Sequence, residues 1–114
     1  MVFIKRVYDK LAKSDGFRIL VDRLWPRGLT KSAAKVDLWL KEIAPSNELR
    51  MWFAHENTKC AEFKRRYFKE LKGKKDLLDV IRQKVSETQV TLLYGAKKRT
   101  CNNAMVLREY LEKV

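Results

Sequence analysis

An α/β fold is predicted for this chain, and three observations carry the prediction. Two short runs rich in β-branched and aromatic residues open it, VFIKRVY (2–8) and the stretch from Phe17 to Trp25. A continuous apolar run, QVTLLYGA (89–96), fits a central strand buried on both faces of a sheet. Between and after these runs, apolar residues recur at the three- and four-residue spacing of helices packed on one side. The expected architecture is one compact domain over residues 1–114, with a small mixed, largely parallel sheet flanked by helices in the order β-β-α-α-α-β-α.

Each element has a local reason. After the first strand, DKLAKSDG ends in the turn pair Asp15-Gly16. About eight residues separate the first two strands, fewer than a parallel crossover normally takes, so the spacing predicts an antiparallel pair. Pro26 and Gly28 stop the second strand. Thr30 is placed to cap a short helical turn through Ala34. Val36, Leu38, Trp39, Leu40 and Ile43 then form a packed segment up to Ala44, which Pro45 breaks. Ser46 caps a helix that carries Leu49, Trp52 and Phe53. The next helix spans about 58–72, with Cys60, Phe63, Tyr67 and Leu71 in one stripe and Gly73 as its terminator. A further helix turns Leu77, Leu78, Ile81 and Val85 inward. The long helical connection from the second strand to the third favours parallel pairing of those two. Asn102 and Asn103 precede a last helix whose inner face is Ala104, Leu107, Leu111 and Val114.

Composition narrows the function classes. Hydrophobic residues make up 46% and charged residues 35%, the balance of a folded soluble protein. No apolar run is long enough to span a membrane, and MVFIKRVYDK has no signal-peptide core, so a cytoplasmic protein is expected. Cys60 and Cys101 have no CxxC spacing and are expected as reduced thiols. With the single His55 they cannot supply a four-ligand zinc site, so no metal is expected. The four glycines form neither GxGxxG nor a phosphate-binding P-loop, which disfavours dinucleotide and P-loop enzymes; GxSxG and HExxH are also absent.

Charge points to polyanions. Twenty-six Lys and Arg against 14 Asp and Glu leave a net +12. One cluster is VDRLWPRG (21–28) with the end of the later strand. Ligands collect at the carboxyl ends of parallel strands. There, Arg23, Arg27 and Lys97, with Asn102 at a helix start, are expected to share one anion, and Trp25 to wall the seat. Asp22 and His55 are the candidate proton carriers, and Cys101 is a conceivable thiolate at a helix start. Asp22-Arg23 as a structural pair and Trp25-Pro26 as a cover over the sheet end are the competing readings. The second cluster is KCAEFKRRYFKELKGKK (59–75), with eight basic residues against two acidic ones. The apolar stripe forces Lys64, Arg65, Arg66, Lys69 and Lys72 outward, as in a face that meets phosphate backbones. A merely solvated helix face is the alternative. His55 is also placed to cap carbonyls at a helix end.

Laid side by side, VDRLWPRG (21–28), DLWLKEIAPS (37–46), EFKRRY (62–67), VTLLY (90–94), and Asn102, Asn103 and Ala104 ahead of VLREYL (106–111) resemble the domain-of-unknown-function 488 family of small prokaryotic proteins. The resemblance covers nearly the whole chain. It implies a single cytoplasmic α/β domain and brings no activity or cofactor with it. Relatives usually carry an acid where Lys98 stands, a His where Cys101 stands and a Trp near Cys60. If the family uses that acid and His for proton transfer, this chain has lost the pair and kept the cationic half of the site. Three functions follow as expectations: a binding domain for phosphate-rich partners, nucleic acid first; an enzyme acting on a small anionic metabolite or nucleotide at the strand ends; or a protein–protein adaptor.

Overall fold

The computed structural model describes residues 2–54 and 56–113. Among the described residues the strands and α-helices are β1 (Val2–Arg6), β2 (Phe17–Leu20), α1 (Lys31–Ala34), β3 (Leu38–Trp39), α2 (Asn47–Phe53), α3 (Cys60–Leu71), α4 (Lys75–Glu87), β4 (Val90–Tyr94) and α5 (Asn103–Lys113). The fold class is α/β, as expected. Among the described residues no helix is long and apolar enough to cross a membrane.

The sheet runs β1-β4-β2-β3 and every pairing is parallel. This corrects the antiparallel pair expected for the first two strands. The short spacing argued against a parallel crossover only if β1 and β2 were neighbours, and β4 lies between them. The linker instead returns across one sheet face as a loop with a 3-10 turn at Lys13–Asp15. Thr91 fixes it there, its Oγ1 donating to the Asp15 carbonyl at 2.6 Å. The second strand also ends earlier than expected, at Leu20, and the packed segment before Pro45 contains the two-residue strand β3.

Alternation along the strands assigns the faces. Val90, Leu92 and Tyr94 of β4, with Ile19 and Val21, meet α2 to α5 in the main core. Leu20 and Leu93 face the other side, where Val7 and Ala34 complete a small cluster roofed by Trp25, Leu29 and Val36. β4 is buried along its whole length because it has strands on both sides and cover on both faces. The second face also holds a charged cluster. Asp15 takes Arg18 at 2.6 Å and Lys5 at 3.0 Å, while Arg18 donates to the Lys35 and Ala34 carbonyls. An arginine with only 5% of its side chain exposed is tolerable in a sheet face because its charge and its donors are met.

On the main face, the α3 stripe behaves as its spacing predicts, with Phe63, Tyr67 and Leu71 buried. Phe63 stacks on Phe53 with ring centres 4.2 Å apart. Tyr67 is fully buried and donates to the Ile43 carbonyl at 2.7 Å, and burial pushes its phenol far above the usual range. The first member of the stripe departs from expectation. Cys60 is bonded to Cys101, with Cα atoms 6.0 Å apart, so the two are not reduced thiols and Cys101 presents no free nucleophile. A pair 41 residues apart in sequence carries no local signature. It meets because α3 and the segment leading into α5 converge on the same sheet face.

Candidate functional site

The carboxyl ends of β2 and β4 open onto a cavity of about 200 Å³. Its floor is apolar, made by Phe53, Phe63 and Pro45, and its polar rim carries Asp22, Arg23, Arg50, Asn102 and Asn103. Five chain segments meet here: the loop after β2, the Ala44-Pro45 corner with α2, Phe63 of α3, Ala96 after β4, and the start of α5.

Asp22 braces the site. One carboxylate oxygen accepts from the Gly95 amide at 2.8 Å and the other from Asn103 Nδ2 at 2.9 Å. Asn103 also donates to the Val21 carbonyl at 3.0 Å, which locks the start of α5 to the end of β2. Gly95 suits this contact, since a Cβ there would stand 3.1 Å from the Asp22 carboxylate. Asn102 caps α5: its Oδ1 accepts from the Met105 amide at 2.8 Å and its carbonyl from Val106 at 3.2 Å.

Arg23 lies against the opposite wall. Its guanidinium donates to the Ala44 carbonyl at 3.4 Å and faces Glu42 at 3.8 Å. Its Nε is buried and, among the described residues, has no hydrogen-bond partner. The Ile43-Ala44 corner is held rigid from behind by Tyr67 and by Lys74, whose ammonium donates to the Ala44 carbonyl at 2.8 Å. Burial lowers the Lys74 pKa, with Glu70 working against it. Glu70 in turn accepts from the Ser46 amide at 2.9 Å and from its hydroxyl at 2.6 Å, and Ser46 caps α2 by accepting from Leu49.

The residues expected at one anion seat divide. Arg23 and Asn102 line the cavity, together with Asp22. Arg27, Lys97 and Trp25 do not. Arg27 is exposed, and its carbonyl accepts from Tyr8 Oη at 2.9 Å. Lys97 lies exposed on the loop after β4. Trp25 donates to the Leu29 carbonyl at 2.7 Å and meets Trp39 edge-on at 5.4 Å, so it closes the small core on the far face of the sheet. The cause is the early end of β2: the chain after Arg23 passes around the carboxyl end of the strands, which sends Trp25 to the other face and leaves Arg27 exposed. Of the three cations expected to share one seat, Arg23 lines this cavity, and Arg50 lines it too. His55 lies outside the described residues.

Arg50, Phe53, Phe63 and Asn103 are cavity residues that sequence reasoning did not single out as such. Phe53 and Phe63 read as core, which they also are. The Asn-Asn pair at a helix start was the one local signal for Asn103. Nothing local marks Arg50, which reaches the cavity only because α2 packs beside Arg23.

The basic residues of α3 face outward, but most have acidic company. Arg65 and Arg66 share Glu62, and these hydrogen bonds hold the Glu62 carboxyl down to about 2. Arg66 also lies 4.1 Å over the Trp52 ring. Lys64 pairs with Glu109 at 2.7 Å, and Glu109 takes Lys113 as well. Lys69 and Lys72 are exposed.

With this geometry in place, comparison finds that the model of the DUF488-N3i family, described as the inactive DUF488-N3 subclade, matches residues 1–114. The chain is 46% identical to the uncharacterized protein YeaO of Escherichia coli over 115 residues, covering 96% of each chain. It is 36% identical to the uncharacterized protein Rv3073c of Mycobacterium tuberculosis over 110 residues, 96% of this chain and 92% of the relative. No solved structure matches it.

Proposed function

The chain belongs to the DUF488-N3i family, the inactive DUF488-N3 subclade, and from that premise we propose that it works by binding a small phosphate-bearing molecule rather than by turning one over. The observation that carries the reading is the weakly engaged guanidinium of Arg23 at the rim of a cavity with an apolar floor. Its terminal nitrogens hold long contacts, 3.4 Å to the Ala44 carbonyl and 3.8 Å to Glu42, and an anionic oxygen in the cavity is a stronger acceptor than either at that range. Arg50 adds a second positive charge on the same rim. The first turn of α5 adds backbone N–H groups and the positive end of its dipole. Phe53 and Phe63 suit an apolar or planar group attached to the phosphate, and at about 200 Å³ the space takes a phosphate with a small attached group, a mononucleotide extending beyond it into solvent. Asp22 acts here as a brace for the β4–α5 connection, with both oxygens occupied by donors.

Nucleic acid is the second reading, supported by the net +12 and the exposed Lys69 and Lys72. The acid partners of Arg65, Arg66 and Lys64 weaken it relative to the cavity. A cytoplasmic setting suits a ligand of the phosphometabolite class, and there the Cys60–Cys101 bond is reversible rather than permanent.

Isothermal titration with AMP, inorganic phosphate and a twelve-nucleotide single strand tests both readings. AMP is expected to saturate one site. Arg23→Gln is expected to weaken that site at least tenfold, the equivalent of about 1.4 kcal/mol, while a Lys69→Gln/Lys72→Gln pair leaves it unchanged. Absence of saturable binding by either small anion at millimolar concentration rejects the cavity reading. Oligonucleotide binding that depends on Lys69 and Lys72 but not on Arg23 moves the function to α3.

A further inference from the structure

We infer that the Cys60–Cys101 disulfide is a redox gate on the cavity, with the oxidised form the one that holds ligand; the inference rests on the binding reading above. The bond joins two walls of one space. Cys60 opens α3, and three residues on, one turn along the same face, Phe63 forms part of the cavity floor. Cys101 directly precedes Asn102, which lines the cavity and caps α5. Both cysteines are partly exposed.

The backbone at Cys101 supplies the mechanical consequence. Its φ of 52° lies in the left-handed region, unfavourable for a residue with a Cβ. That conformation persists where the surroundings over-determine it, and the cross-link to α3 is one such restraint. Ahead of it the segment is held by the Arg99–Asp9 pair, 60% exposed at the arginine, and by a 3.5 Å bond from Asn102 to the Lys98 carbonyl; behind it Asn103 is anchored to the Val21 carbonyl and to Asp22. Once the cross-link opens, Cys101 is free to relax to negative φ. The Asn102 cap then shifts relative to Phe63 while Asn103 holds the rest of α5 on β2, and the preorganised rim is lost.

The chemistry balances with a dithiol as co-reactant. One thiolate of the reductant attacks a sulfur of the pair and the S–S bond breaks. The second reductant thiol resolves the mixed disulfide, so that Cys60 and Cys101 each end with a proton and the reductant ends as a disulfide. A small disulfide such as oxidised glutathione runs the exchange in reverse.

The test uses the full chain in three forms: oxidised, reduced with dithiothreitol, and reoxidised with glutathione disulfide. Free thiols are counted, AMP affinity is measured by calorimetry, and amide exchange is followed over residues 57–66 and 96–106. About a tenfold loss of AMP affinity on reduction is expected, restored by reoxidation, together with faster exchange in both segments. Cys60→Ser/Cys101→Ser is expected to stay at the reduced value and to ignore dithiothreitol; reduction of the native chain carries the test by itself if that variant folds poorly. Equal AMP affinity in the oxidised and reduced forms overturns the gate and leaves the binding reading intact. AMP binding in neither form rejects the binding reading, and the gate that rests on it falls with it. Two free thiols after glutathione disulfide treatment, or unchanged exchange, overturns the gate outright.

Discussion

Replacing Asp22 by alanine separates bracing from chemistry at this site. The carboxylate accepts from the Gly95 amide at 2.8 Å and from Asn103 Nδ2 at 2.9 Å, so the truncation removes two hydrogen bonds to a charged acceptor at once. Such bonds contribute about 1.5–3 kcal/mol each, and two that share one carboxylate do not add fully. A loss of about 3 kcal/mol is expected. With an unfolding entropy of about 2.1 cal/mol/K per residue, a chain of 114 residues then loses about 12 °C in Tm. At an m-value of about 1.5 kcal/mol/M the urea midpoint falls by about 2 M. Asp22→Asn is the graded control. Its carbonyl oxygen keeps the Gly95 bond while its amide meets the Asn103 amide donor to donor, and roughly half the loss is expected. Tryptophan fluorescence in urea and thermal circular dichroism read both variants. A stability of Asp22→Ala within about 0.5 kcal/mol of the parent would refute the bracing argument. So would a variant of full stability that had lost AMP binding, because the carboxylate would then be acting on ligand.

Further expectations concern the second sheet face, the turn into β2 and the cross-link. Asp15→Asn strands Arg18 without its carboxylate and is expected to cost about 3–5 kcal/mol at neutral pH, measured by urea unfolding. The folded Asp15 carboxyl lies below its ordinary value: burial pushes it up, and the bonds from Lys5, the Ala12 amide and Arg18 outweigh that. Its contribution is therefore complete above the unfolded value of about 3.9 and disappears as pH falls through the lower folded value. The gap between parent and Asp15→Asn should narrow below about pH 4, and a gap constant from pH 6 down to pH 2 would contradict the pairing. Gly16→Ala drives a methyl into the Gln89 carbonyl at a φ of 68°, so a loss of about 3 kcal/mol or failure to fold is expected in a thermal melt. Reducing the disulfide, which closes a loop of 41 residues in sequence, is expected to lower stability by about 4 kcal/mol through the freer unfolded chain. Parallel urea titrations with and without dithiothreitol check that figure, and coincident curves would show that the bond contributes nothing.

What the amino-acid order determined was everything governed by neighbours a turn or two apart. The α3 stripe, the Thr30 and Ser46 caps and the all-apolar β4 were legible because periodicity and capping act within a few residues. Asp22, Arg23 and Asn102 were legible as a cluster because strand ends collect polar groups, and these three do meet at one cavity. Tertiary structure alone decided that β4 inserts between β1 and β2, since strand order depends on which faces need cover and not on linker length. It alone sent Trp25 to the far side of the sheet and left Arg27 exposed, because the chain after Arg23 passes around the carboxyl end of the strands. It alone joined Cys60 to Cys101 and brought Arg50 and Arg23 to one cavity, meetings of segments far apart in sequence with no spacing rule to announce them. Short-range preferences are written residue by residue. The company a side chain keeps across the core is settled only when the whole sheet and its helices pack.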